Sequence, residues 1–156
     1  MATIYVDADA CPMKDVIERG ALRLQYPVFF VSNRPVGIKA KKGVYVILAP
    51  AGPDEADLII ARRAGPGDLV LTADLPLAAD ALAAGARCID FRGQVFEKST
   101  IQGMLAAREM IEMMRGGFTF SGGPAPLTAQ DRVRFSNTFD RVLTEMQRTA
   151  AQVPKT

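Results

Sequence analysis

Short apolar runs alternating with stretches of helical spacing constrain this chain more than any other feature. Val28-Phe29-Phe30-Val31, Val44-Tyr45-Val46-Ile47-Leu48 and Leu69-Val70-Leu71-Thr72 are each bounded by turn-forming residues and are too short for helices. The first reads as a buried strand and the other two as a third and a fourth strand. Thr3 to Val6 supplies a first strand and Arg87 to Ile89 a fifth. Between the first two strands, Val16, Ile17, Ala21 and Leu24 recur at helical spacing until Tyr26-Pro27 ends the element. Pro12 fits the first turn of that helix, with Cys11 as its cap. Asp54-Glu55-Ala56-Asp57 opens a second helix through about Ala64, with acids where the helix dipole favours them. Asp74 caps a third, with Pro76 in its first turn and Gly85 closing it. Two more helices follow, from about Thr100 to Arg115 and from about Thr128 to Arg148. Gly116 to Pro126, rich in Gly and Pro, joins them.

This order predicts an α/β fold with a mainly parallel sheet. A chain of 156 residues can bury one real core. The expectation is a single domain over residues 1–150, with a helical C-terminal extension from about residue 100 and a tail at 151–156. There is no uninterrupted apolar run of about 18 residues, so no membrane span is expected. Met1 leads straight into a strand pattern without a basic or long apolar leader, so a cytoplasmic location is expected.

Composition narrows the chemistry. The chain has no histidine, which excludes every His-based triad and general base. Its two cysteines, Cys11 and Cys88, form no CxxC pair, so a zinc site is not expected. Catalysis must come from carboxylates, Lys, Arg, hydroxyls or a thiol. A net charge of +2 is too small to announce a nucleic-acid binder by itself.

The carboxylates are the informative set. In a parallel α/β sheet, ligands gather at the C-terminal edge of the strands. Asp7 and Asp9 follow the first strand, Asp54 and Asp57 the third, and Asp74 the fourth. Helix N-termini also lie along that edge, and Asp is a favoured cap there. Capping can therefore account for Asp54, Asp57 and Asp74. It fits Asp7 and Asp9 less well. Strands disfavour Asp, and two like charges held close raise one pKa unless a cation lies between them. A hard divalent cation resolves that conflict. An oxygen-only set suits Mg²⁺ or Mn²⁺ rather than zinc or copper. Such an ion lowers the pKa of a bound water and stabilises a phosphoryl group under attack. Phosphodiester hydrolysis is the matching reaction class.

The run VDADACP, the helix GPDEADLII, the stretch GDLVLTADLPLA, and the late SGGPAPL with DRVRF together resemble the YaiI/YqxD family of bacterial proteins. The likeness extends from Ile4 to about Leu143. Because the family is grouped with PIN-like nucleases, the resemblance implies a three-layer fold around a five-stranded parallel sheet of order 3-2-1-4-5, with two C-terminal helices. It also implies acids after the first strand, on a middle helix and after the fourth strand, which fall on Asp7, Asp57 and Asp74, with Asp9 a further ligand. The implied activity is Mg²⁺- or Mn²⁺-dependent cleavage of RNA or single-stranded nucleic acid. Thr100 stands before Ile101 where the family pattern has Asn; Thr caps as well. A non-catalytic metal- or RNA-binding module on the same fold is the alternative. A haloacid-dehalogenase-like phosphatase ranks lower, because Asp74 and Asp80 have the wrong spacing for it.

Other residues carry weaker signals. Arg34, Lys39, Lys41 and Lys42 put four positive charges into one loop, a candidate phosphate contact or simply a solvated turn. Asn33 can orient a phosphate or a water on the metal, or form a turn. Thr72 can support Asp74 by a hydrogen bond. Cys11 reads as a buried structural thiol and Cys88 as core. Gly122-Gly123-Pro124 reads as a connector, with a phosphate-contacting nest as the functional alternative. Met104, Met110, Met113 and Met114 read as core or as an oligomer face.

Overall fold

A computed structural model describes residues 2–39, 41–116 and 126–152. The Gly122-Gly123-Pro124 segment lies outside them. The described chain runs β1 (Ile4–Asp7), a 3-10 turn (Ala8–Ala10), α1 (Lys14–Arg23), β2 (Val28–Ser32), β3 (Val44–Leu48), α2 (Glu55–Arg63), β4 (Leu69–Leu71), α3 (Leu75–Ala83), β5 (Arg87–Ile89), β6 (Val95–Phe96), α4 (Lys98–Met114) and α5 (Ala129–Gln152).

The sheet has order β3-β2-β1-β4-β5-β6. The first five strands are parallel, in the order expected from the resemblance. β6 is an added antiparallel strand, pairing Cys88 with Phe96 and Ile89 with Val95. It comes from the turn at Arg92-Gly93, which closes a hairpin. Asp90 Oδ1 accepts from the backbone N–H groups of Arg92 and Gln94 at 2.9 and 2.8 Å, and Gly93 adopts φ +86°.

Alternation along the strands builds two cores, one on each sheet face. On one face Ile4, Val6, Phe30 and Leu71 pack against Ile17 and Ala21 of α1 and against Phe135, Phe139 and Leu143 of α5. Phe135 and Phe139 are fully buried and stacked, with ring centroids 5.5 Å apart; each is worth roughly 1.5–3 kcal/mol in burial. On the other face Tyr5, Val31 and Val70 meet Ile60 of α2, Leu77 and Ala78 of α3, and Ile101 of α4. The result is three layers, with α1 and α5 below the sheet and α2, α3 and α4 above it.

Two local expectations are corrected. α1 begins at Lys14, not at Pro12, and Met13 occupies its N-cap position without a side-chain cap bond. The chain first makes the 3-10 turn after β1, and the start beyond Met13 lets that side chain drop fully into the core. Of the α4 methionines, Met104 packs against the second core, while the core alternative fails for Met110, Met113 and Met114, which are 64, 80 and 81% exposed.

Candidate functional site

Strand periodicity decides where the first acid points. Asp7 shares the sheet face of Tyr5, two residues before it. That is the face covered by α2 and α3. Asp57 lies one helical turn before Ile60, which is buried against the same face, and Asp74 stands at the N-terminus of α3. β1 and β4 are neighbours, so Asp7 and the β4–α3 turn meet at the point where strand order reverses.

Thr72 joins them. Its Oγ1 donates to Asp7 Oδ2 at 3.0 Å and accepts from the Asp74 backbone N–H at 3.0 Å. It therefore orients Asp7 directly and touches Asp74 through the main chain. Asp74 is a true N-cap, its Oδ1 accepting from Leu77 N–H at 2.8 Å, so capping explains one of its two oxygens. It does not explain Asp54, which sits in the left-handed region at φ 65° with no side-chain cap bond.

Asp9 is held from the other side. Its carboxylate accepts from Asn33 N–H at 2.8 Å, and its Oδ1 lies 2.6 Å from Ser32 Oγ. The single Ser32 proton goes either there or to the Arg34 carbonyl at 2.7 Å. Asp9 thus fixes the loop leaving β2, a structural use that its sequence position alone did not reveal. Asn33 Oδ1 is buried with no hydrogen-bond partner among the described residues.

The acids feel one another. Burial pushes the Asp7 pKa up, opposed by the Thr72 hydrogen bond and reinforced by the charges of Asp9 and Asp74. Burial also raises Asp57, to about 6, and the charges of Asp7, Asp74, Asp54 and Asp9 add to the rise. All the charges that push on Asp57 are carboxylates. Beside them opens a cleft of about 330 Å³, lined by Asp54, Asp57, Asp74 and Asp80 and by Arg108 from α4.

The sheet edge thus brings together Asp7, Asp9, Asp57 and Asp74, with Thr72, Asn33 and Arg34 beside them. It does not bring Lys41 and Lys42. They precede β3, at the opposite end of the parallel sheet, and Lys41 pairs with Glu18. Arg108 carried no sequence signal, since only the docking of α4 on α3 sets it beside Asp74.

Cys11 is buried, and burial pushes its thiol up to about 11. That makes it a poor nucleophile at neutral pH. Cys88 is buried and raised as well.

Among the described residues, no three or more His, Cys, Asp or Glu side chains converge as a metal cage. Mg²⁺ does not require one: it keeps several waters and binds through one or two carboxylates together with substrate phosphates. Partly buried carboxylates at a cleft fit that mode of binding.

This is an α/β protein with a carboxylate-lined cleft at the switch point of its sheet. The profile of the family described as "Uncharacterized BCR, YaiI/YqxD family" matches residues 5–145, and the chain belongs to that family. A UPF0178 protein of Trichlorobacter lovleyi is 41% identical over 150 residues, covering 95% of this chain and 97% of its own. The UPF0178 protein BPP1051 of Bordetella parapertussis is 41% identical over 148 residues, covering 94% and 92%. A UPF0178 protein of Caulobacter vibrioides is 40% identical over 150 residues, covering 96% and 98%. No solved structure gives a significant match. Among the described residues no helix is long and apolar enough to cross a membrane.

Proposed function

We propose that this protein is a divalent-metal-dependent phosphodiesterase acting on RNA or single-stranded nucleic acid. One observation carries the reading: carboxylates from β1, α2 and the β4–α3 turn gather at one sheet edge beside a cleft, where burial, reinforced by the neighbouring acids' charges, raises the pKa of Asp7 and Asp57. Such mutual repulsion destabilises a metal-free fold, and a bound cation relieves it.

Asp7, Asp57 and Asp74 would hold Mg²⁺ or Mn²⁺, directly or through the ion's retained waters, with Asp9 supporting them from the 3-10 turn. When bound, the ion supplies Lewis-acid stabilisation of charge on the phosphoryl group. The chain's own residues prepare the site for it. Thr72 fixes the Asp7 rotamer, and the cap bond to Leu77 fixes Asp74 with one oxygen spare. Ser32 and Asn33 hold Asp9 and bring Arg34 to the same edge. An ordinary carboxylate pair in water would have to be organised during the reaction; here the backbone has already done so.

The test is cleavage of end-labelled single-stranded RNA in Mn²⁺, with EDTA and with Asp74→Asn. Asn caps helices as well as Asp, so this variant keeps α3 while removing the charge. Metal-dependent cutting that disappears in both controls is expected. Cutting that survives Asp74→Asn, or no cutting by the wild type, would reject the proposal.

A further inference from the structure

Arg108 lines two openings. One is the acid cleft, where it faces Asp54, Asp57, Asp74 and Asp80. The other is a groove of about 450 Å³ between the start of α3 and the body of α4. That groove is lined by Leu75, Met104, Ala107, Ile111 and Glu112, and by Arg115 two helical turns beyond Arg108. Ile111 is 48% exposed. The partner of Arg108 is Glu112, at 3.3 Å one turn along, with both side chains about half exposed. A pair of that kind contributes little and yields readily to a better anion.

The geometry points to the path of the substrate beyond the reacting phosphate: a single nucleic-acid strand leaves the acid cleft across Arg108 and lays its next base in the apolar groove along α4. This rests on the phosphodiesterase reading and adds where the strand runs and which residues hold it beyond the reacting phosphate, so that an oligonucleotide is held better than a mononucleotide. Three features support it. Arg108 is a cation among four carboxylates, the place where a phosphate held by a divalent ion gains a second, bidentate contact. The groove adjoins the cleft, because Arg108 lines both. Its floor is apolar, with a second arginine along its length, so the groove offers an apolar surface for a base and a further cation for the backbone phosphates. The long, polarisable Met104 side chain adapts to any base face, which suits binding without sequence preference.

The experiment is an anisotropy titration of fluorescein-labelled decauridylate with the full chain in Ca²⁺, at several salt concentrations. Wild type is compared with Arg108→Gln and with Ile111→Glu, which places a carboxylate in the groove at an exposed position. Mn²⁺ affinity is measured on the same three proteins. Arg108→Gln is expected to weaken the oligonucleotide about tenfold and to make the salt dependence shallower by about 0.7 in slope, the loss of one phosphate contact on a single strand. Ile111→Glu is expected to weaken it about fivefold, the lower end of a lost base contact. Neither variant should weaken Mn²⁺ binding. Uridine monophosphate should compete far less well than the decamer. Wild-type affinity in both variants, alongside intact metal-dependent cleavage, overturns the strand path and leaves the phosphodiesterase standing. A wild type that neither binds nor cleaves the oligonucleotide overturns both. Equal competition by the mononucleotide overturns the path alone.

Discussion

Asp57→Asn should make the metal-free protein more stable. The Asp57 carboxyl rises from its ordinary 3.8 to about 6 on folding. A folded pKa above the unfolded one means that folding favours the protonated form, so ionisation above about pH 6 opposes folding. At 1.36 kcal/mol per pKa unit the ceiling is about 3 kcal/mol. Asp57 is only half-buried, and solvent screening reduces this to about 1 kcal/mol. In a domain of this size that corresponds to about 2–4 °C in Tm. The assay is thermal unfolding in EDTA at pH 7.5 and pH 5. The variant should melt higher than wild type at pH 7.5, and the gap should close at pH 5 as wild-type Asp57 takes up its proton. Adding Mn²⁺ should stabilise wild type by mass action and do less for the variant. A variant that melts lower than wild type in EDTA at pH 7.5 would refute the repulsion on which the site rests.

Gly93→Ala should destabilise the fold by roughly 2–3 kcal/mol, measured by urea denaturation, since it adds a left-handed backbone penalty to a close contact. A Cβ there would stand 2.8 Å from the Arg134 backbone, where α5 crosses the β5–β6 hairpin. Asp131 is buried in that same junction, and hydrogen bonds from Thr128 with the charges of Arg92 and Arg134 hold its carboxyl below the usual value. Its stabilisation is present above the ordinary carboxylate pKa and lost as pH falls through the lowered one. Asp131→Asn should therefore lower Tm at pH 7 and flatten the acid limb of the Tm-against-pH curve. The two buried thiols should resist Ellman's reagent at pH 8 in the native protein and react fully in guanidinium.

Much of this architecture could be read before any coordinates. The central strands β2 and β4 announce themselves because a strand buried on both faces must be a continuous apolar run, and Phe30 and Val70 sit at the centres of such runs; β3 carries the same kind of run although, at the sheet edge, its Tyr45, Val46 and Leu48 are exposed. The acids at the strand ends follow from that parallel order. β6 was missed because Val95-Phe96 is too short for a periodic signal, and only its pairing with Cys88 and Ile89 makes it a strand. The start of α1 was misplaced for a similar reason, since tertiary burial of Met13 overrode the proline rule. Asp9 and Arg108 show the same limit within the site. The use of Asp9 depends on Ser32 and Asn33, 23 and 24 residues away. Arg108 becomes part of the cleft only once α4 lies on α3. Lys41 and Lys42 illustrate the converse. Close to Arg34 in sequence, they end at the other end of the sheet, because β3 begins where β2 does not end.

The most direct measurement is titration of the protein with Mn²⁺, following the free-ion signal by electron paramagnetic resonance. Wild type should bind Mn²⁺, and Asp7→Asn, Asp57→Asn and Asp74→Asn should each weaken that binding at least about tenfold, the loss of one charged ligand worth about 1.4 kcal/mol or more. A folded wild type that leaves all the Mn²⁺ free, or binding untouched by all three substitutions, would contradict the carboxylate edge as a metal site.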